Sequence, residues 1–246
     1  MADDKKNTIE ESGENTRTIF CYGGGDIDYL FELAKEKSIK VKSIEEDSDE
    51  PTYNGIHDVS EIYSDKGTSI VGYTYYGDIM IVRAPKDDAL INKWLDSEDG
   101  CVVLNHGKEE FSIMGDKYCP TCNQEIKKRT EIIVKCNTSD DCHAVNWRDV
   151  VPQTDYEFYL DKKLIAELIM TYKNSEMNDT KPTIEDFEVE NESYKETIVY
   201  GIENRLANQG FPGIWLTNYI GYPPETDFWM KMEYAFDIDE GYKELY

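Results

Sequence analysis

Asp161-Lys162-Lys163-Leu164-Ile165-Ala166-Glu167-Leu168-Ile169-Met170-Thr171-Tyr172 is the stretch on which the architecture of the C-terminal part turns. Leu164, Ile165, Leu168, Ile169 and Tyr172 recur at helical intervals, which predicts a helix with one apolar stripe starting near Asp161. A polar linker from Asn174 to Pro182 follows. Tyr194, Ile198, Ile202 and Leu206 then mark a second helix, ended at Asn208-Gln209-Gly210 because glycine accepts the left-handed cap conformation. The remainder is aromatic and broken by Gly and Pro at 210, 212, 213, 221, 223 and 224. Residues 151–246 are therefore expected to form an acidic, helical, partly flexible region.

Upstream, Thr18-Ile19-Phe20-Cys21-Tyr22 reads as a short buried strand. Gly23-Gly24-Gly25, an N-cap candidate at Asp26, and the apolar face Ile27, Leu30, Phe31 and Ala34 predict a helix after it. Ser38 to Ile44 completes a β-α-β unit, closed by the acidic loop 45–51. Residues 68–84 read as a hairpin turning at Gly77-Asp78, Asp87 to Leu95 as a helix, and 101–114 as a hairpin turning at Asn105-His106-Gly107. The expected class is α+β: a disordered tail at 1–16, a small mixed α/β domain at 17–115, a zinc-ribbon-like module at 116–150, and the acidic region at 151–246.

Charge sharpens this division. The 246 residues carry 51 acids against 26 bases, a net charge of −25. Residues 111–150 are neutral, with 6 of each sign, whereas 1–60 carry 15 acids to 7 bases and 151–246 carry 20 to 8. Such a surface repels nucleic acid and anionic lipid, which bind by cationic neutralisation of phosphate, and attracts basic surfaces. No apolar run long enough for a transmembrane helix is present, so no membrane partner is expected. The polar N-terminus and the sparse cysteines point to reducing cytoplasm.

Four of the 6 cysteines lie in the neutral island, as Cys119-Pro120-Thr121-Cys122, then Cys136 and Cys142. Thiolates three residues apart on a knuckle can face one ion, and a hairpin brings a second pair opposite, which predicts a closed structural zinc site. The wide second spacing leaves His143 as a substitute for Cys142, and a Cys-Pro-x-Cys redox pair or ordinary thiols remain the alternatives. Cys21 and Cys101, on predicted strands, read as small buried packing residues.

Lys117, Lys127, Lys128, Arg129 and Lys135 make the island's hairpin locally basic. In an extended strand Lys127, Arg129 and Lys135 share one side and Ile132 and Val134 the other. That cationic side suits weak phosphate contact, or simply a solvated edge. Asp26 and Asp28 fit the N-terminal dipole of a helix without any ligand. His57 and His106 stand in no nucleophile setting, and no catalytic constellation is visible, so the chain is not expected to be an enzyme.

Acids recur at 45–50, 96–99, 185–196 and 237–244, most densely as Glu185, Asp186, Glu188, Glu190, Glu192 and Glu196. Carboxylates on alternate residues of an extended segment repeat at ~6.6–6.8 Å, close to the interval of phosphates along a nucleic-acid strand. In size, acidity and modular plan the chain resembles the DNA-mimic host-takeover proteins of large lytic bacteriophages. That resemblance implies a non-enzymatic inhibitor in the host bacterial cytoplasm or nucleoid. Its implied partner is bacterial RNA polymerase, through the β and β′ subunits, or another basic DNA-binding protein. The alternative is a zinc-ribbon adaptor that binds a specific protein and whose acidity only solubilises it.

Overall fold

The computed structural model describes residues 15–22, 27–36, 40–43, 56–64, 67–74, 79–115, 129–140, 152–172, 182–217, 226–236 and 241–245. Two sheets organise them. The smaller contains β1 (Thr16–Tyr22), β2 (Lys40–Ser43), β3 (Ile56–Ser64), β4 (Gly67–Thr74), β5 (Ile79–Pro85) and β6 (Cys101–Asn105) in the order β2-β3-β4-β5-β1-β6. The larger contains β7 (Gly107–Met114), β8 (Glu131–Asp140), β9 (Pro152–Leu160), β10 (Lys163–Thr171), β11 (Thr183–Val189), β12 (Gly213–Leu216), β13 (Ala235–Phe236) and β14 (Gly241–Glu244). Its order is β13-β14-β12-β11-β10-β9-β8-β7. Helices α1 (Ile27–Glu36), α2 (Ala89–Leu95), α3 (Lys195–Gln209) and α4 (Thr226–Lys231) complete an α+β fold. Among the described residues no helix is long and apolar enough to cross a membrane.

The predicted helix at 161–172 is a strand. Leu160 pairs with Lys163 across a tight turn in which Asp161 and Lys162 have φ of 49° and 69°, the conformation that two-residue hairpin loops require. Ala166, Leu168, Met170 and Tyr172 are buried on one side while Glu167 is exposed on the other. An irregularity between Leu164 and Ala166 turns Ile165 inward as well. An apolar pair at i and i+4 satisfies both a helix and a strand, and the bulge supplies the adjacent apolar residues that imitate a helical stripe. Pairing with β9 across the two-residue turn, and with β11 on the other side, decides for the strand. The C-terminal region is accordingly sheet carrying α3 and α4, not a helical region.

Other sequence signals correspond to the structure in part. β4 and β5 form the predicted hairpin, and Thr16 begins β1 instead of ending a tail. Helix α2 is capped by Asp88, whose Oδ1 accepts from the Leu90 and Ile91 N–H groups at 2.9 and 3.2 Å. Helix α3 buries Ile198, Val199, Ile202 and Leu206 and stops at Gly210, φ 95°. The expected hairpin at 101–114 is absent: β6 pairs with β1, and β7 pairs with β8. His106 is where the chain leaves one sheet for the other. It is buried, its ring nitrogens lying 3.1 Å from Thr16 Oγ1 and 3.0 Å from Thr18 Oγ1, and its carbonyl accepts from Lys86 Nζ at 2.8 Å.

Two apolar clusters follow. Ile19, Leu30, Leu33, Val82, Leu90, Ile91 and Trp94 join α1 and α2 to one face of the smaller sheet. From its other face Phe20, Val102 and Leu104 enter the core of the larger sheet. Phe20, Tyr172 and Phe211 meet there, with ring centroids 5.6–6.0 Å apart. Gly201 lets α3 approach β7 closely, since a Cβ at that position would lie 2.4 Å from Ile113 Cδ1.

Candidate functional site

The outer face of the larger sheet concentrates carboxylates. Alternation turns Thr154, Tyr156 and Phe158 of β9 inward and Asp155 and Glu157 outward. The same alternation exposes Glu167 on β10, and Asp186 and Glu188 on β11, with Glu190 next in phase beyond the strand. Register then sets Glu110 opposite Lys135, Lys135 opposite Glu157, Glu157 opposite Glu167, and Glu167 opposite Glu188. One row crosses five strands and ends in three consecutive glutamates. A parallel row runs Lys108, Asn137, Asp155, Ile169, Asp186.

Ladder phase brings two of these acids especially close. The Tyr172 N–H donates to Pro152 O at 3.1 Å, so Glu157 and Glu167 fall on a pair that does not exchange backbone hydrogen bonds. There the Cα atoms are ~4.5 Å apart and side chains approach most closely. Like charges directly opposite one another are destabilising. The cations nearby do not interleave this part of the row. Lys163 Nζ bonds Glu190 at 2.6 Å, and Lys135 Nζ sits 5.0 Å from the centre of the Tyr159 ring. Tyr159 donates its hydroxyl to Glu157 Oε2 at 2.7 Å. That hydrogen bond, then desolvation and the charges of Glu157 and Glu167, raise the phenol above its ordinary pKa.

The six acids singled out in the sequence divide among three places. Asp186, Glu188 and Glu190 alternate with Phe187 and Val189 and join the outer face. Glu185 sits beside Thr171, whose hydroxyl donates to it at 2.6 Å, and burial raises its carboxyl above the usual range. Glu192 and Glu196 lie near α3, paired with Lys195 at 3.5 Å and with Lys231 respectively. Glu157 and Glu167, which complete the ladder, were not among the sequence candidates because 161–172 reads as helix. The alternation of Asp155 and Glu157 with Thr154, Tyr156 and Phe158 is the signal the sequence carries.

Of the basic candidates, Arg129 and Lys135 are exposed, while Ile132 and Val134 are buried, as strand alternation predicts. Lys135 stands between Glu110 and Glu157, which opposes phosphate contact there. Lys117, Lys127 and Lys128 lie outside the described residues, as do Cys119, Cys122, Cys142, His143 and Asp26. Cys136 is a buried, unbridged residue of β8 facing the core. Burial holds its thiol up to about 11, against the opposing charge of Arg205. Among the described residues no three His, Cys, Asp or Glu side chains are grouped to hold a metal.

Cys21 and Cys101 are not separate packing thiols. Register sets them opposite one another on β1 and β6, with Cα atoms 4.2 Å apart, and they form a disulfide. Nothing in their local sequence announces this, because the pairing spans 80 residues. Thiol titration of unfolded protein is expected to find two fewer thiols before reduction than after it.

No protein-family model matches the chain, and no curated protein matches it in sequence.

Proposed function

We propose that this chain is a non-enzymatic binding protein whose outer carboxylate face occupies a cationic nucleic-acid-binding site of another protein. The DNA channel of bacterial RNA polymerase, between its β and β′ subunits, is the favoured target. The observation that carries the reading is the run Glu157, Glu167, Glu188, bordered by Asp155, Asp186 and Glu190. Its acids repeat at ~4.8 Å across strands and ~6.8 Å along them, so a regularly charged surface replaces a phosphate backbone. Repulsion within the run is relieved when lysines and arginines of a partner intervene. Association driven this way is fast and weakens steeply with salt.

Zinc is not needed for this reading, and metal analysis of the purified protein checks it independently. A target in bacterial cytoplasm also implies that the Cys21–Cys101 bond is reduced or transient there. The test is a pull-down from bacterial lysate at about 50 mM and about 500 mM salt. Wild-type protein should retain polymerase only at low salt, and the combined variant Glu157→Gln, Glu167→Gln, Glu188→Gln should not retain it. Failure to recover polymerase or any other DNA-binding protein at low salt overturns the proposal.

A further inference from the structure

Strand β7 ends the larger sheet, and among the described residues no strand pairs with its outer edge. The Gly115 N–H donates to Thr130 O at 2.8 Å, which fixes the phase of the β7–β8 ladder. By alternation, residues 107, 109, 111 and 113 bond β8. The N–H and C=O groups of Lys108, Glu110, Ser112 and Met114 therefore line the free edge. A groove of about 710 Å³ runs between this edge and α3, with Ser112, Met114, Glu196, Tyr200, Arg205 and Gln209 in its walls.

Three observations bear on what the groove holds. Met114 and Tyr200, 49% and 46% exposed, are two of the three large apolar side chains left in solvent among the described residues, and both line it. Arg205 Nε and Gln209 Oε1 are buried polar atoms with no hydrogen-bond partner, and unmet buried groups of this kind cost stability. Arg205, the cation in the groove wall, is already engaged by Glu109, and Glu196 is paired with Lys231. Lys108 stands at one end of the edge, Glu110 is exposed on it, and the whole chain carries −25.

We infer that this groove is a second docking site, independent of the carboxylate face, for an extended peptide of alternating cationic and apolar residues that adds to β7 as a further strand. The unpaired backbone groups specify an extended chain, since a helix satisfies its own. Alternation places the peptide's cations beside Glu110 on the outer side and its apolar side chains against α3 and Tyr200. A second copy of this chain is disfavoured, because it brings another −25 to the same edge.

The experiment uses the full chain and a short fluorescent peptide of alternating Lys and Val. Three peptides of equal charge are compared: unmodified, N-methylated on the residues whose N–H faces β7, and N-methylated on the alternate set. Saturable binding should survive the last modification and fall at least about tenfold with the other. Bound peptide should slow amide hydrogen exchange at Lys108, Glu110, Ser112 and Met114. Ser112→Pro, which removes an N–H that β8 does not use, should weaken binding about tenfold while the melting transition stays cooperative. The Glu157→Gln, Glu167→Gln, Glu188→Gln variant should bind the peptide as wild type does, whatever happens to polymerase retention. Equal affinity for all three peptides, unchanged exchange along β7, or a concentration-dependent dimer that protects the same amides overturns the inference.

Discussion

Around α3 carboxylates meet cations, whereas on the outer face of the larger sheet they meet one another. Glu203 is almost buried and held by Lys243 at 2.9 Å; Glu109 pairs with Arg205 and Glu196 with Lys231. Arg205 also lies over the Phe111 ring, 4.1 Å from its centre, and Lys243 stands 5.3 Å from that of Tyr200. Glu157, Glu167 and Glu188 receive no comparable treatment across three adjacent strands. Lys135 stands opposite Glu157, but Glu167 and Glu188 face no cation in the row.

The largest effect is expected where a buried charge loses its partner. Lys243→Ala leaves Glu203 buried and unpaired and should cost about 3–5 kcal/mol in urea unfolding. A loss below about 1 kcal/mol would mean that water already solvates Glu203, and the comparison would weaken. On the outer face the sign reverses. The combined Glu157→Gln, Glu167→Gln, Glu188→Gln variant should unfold at higher urea, by a few tenths to about 1 kcal/mol, because it removes cross-strand repulsion. Under the proposed function the same substitutions should abolish partner retention, so that stability and binding move in opposite directions. Destabilisation by this variant would show that the run is structural.

Smaller effects come from pH. Burial raises the carboxyls of Glu203 and Glu185 above their ordinary range despite bonds from Lys243 and Thr171. In the interval between the ordinary and raised values the folded state holds more protons than the unfolded one. Their contribution to stability is therefore greatest below the ordinary carboxylate pKa and declines as pH rises through the folded values. Urea midpoints measured from acid to neutral pH should show a shallower decline for Glu185→Gln than for wild type. An unchanged slope would place Glu185 in solvent.

Local reading succeeded where neighbours in sequence are also neighbours in space. Helix α3 was legible from Ile198, Ile202, Leu206 and the Gly210 stop, and the β4–β5 pairing from the two strand-like runs that form it. The inward and outward sides of β8 followed from Ile132, Val134 and Lys135. It failed at 163–171, where one apolar pattern fits two periods, and at 101–114, where a turn signal proved to be a passage between sheets. The carboxylate site was half legible: Asp186, Glu188 and Glu190 stood out as an acid run, but Glu157 and Glu167 looked like isolated charges.

Sequence by itself determined the chain's charge, its division around a neutral segment, and the buried face and glycine stop of α3. These depend on residue identity and on contacts within a few positions. Tertiary structure decided that β10 is a strand, that Cys21 meets Cys101 across 80 residues, and that three glutamates from separate strands stand in one row. Each depends on strand register, which long-range packing selects: an inward Tyr156 or Leu168 commits its neighbours Glu157 or Glu167 to the opposite face.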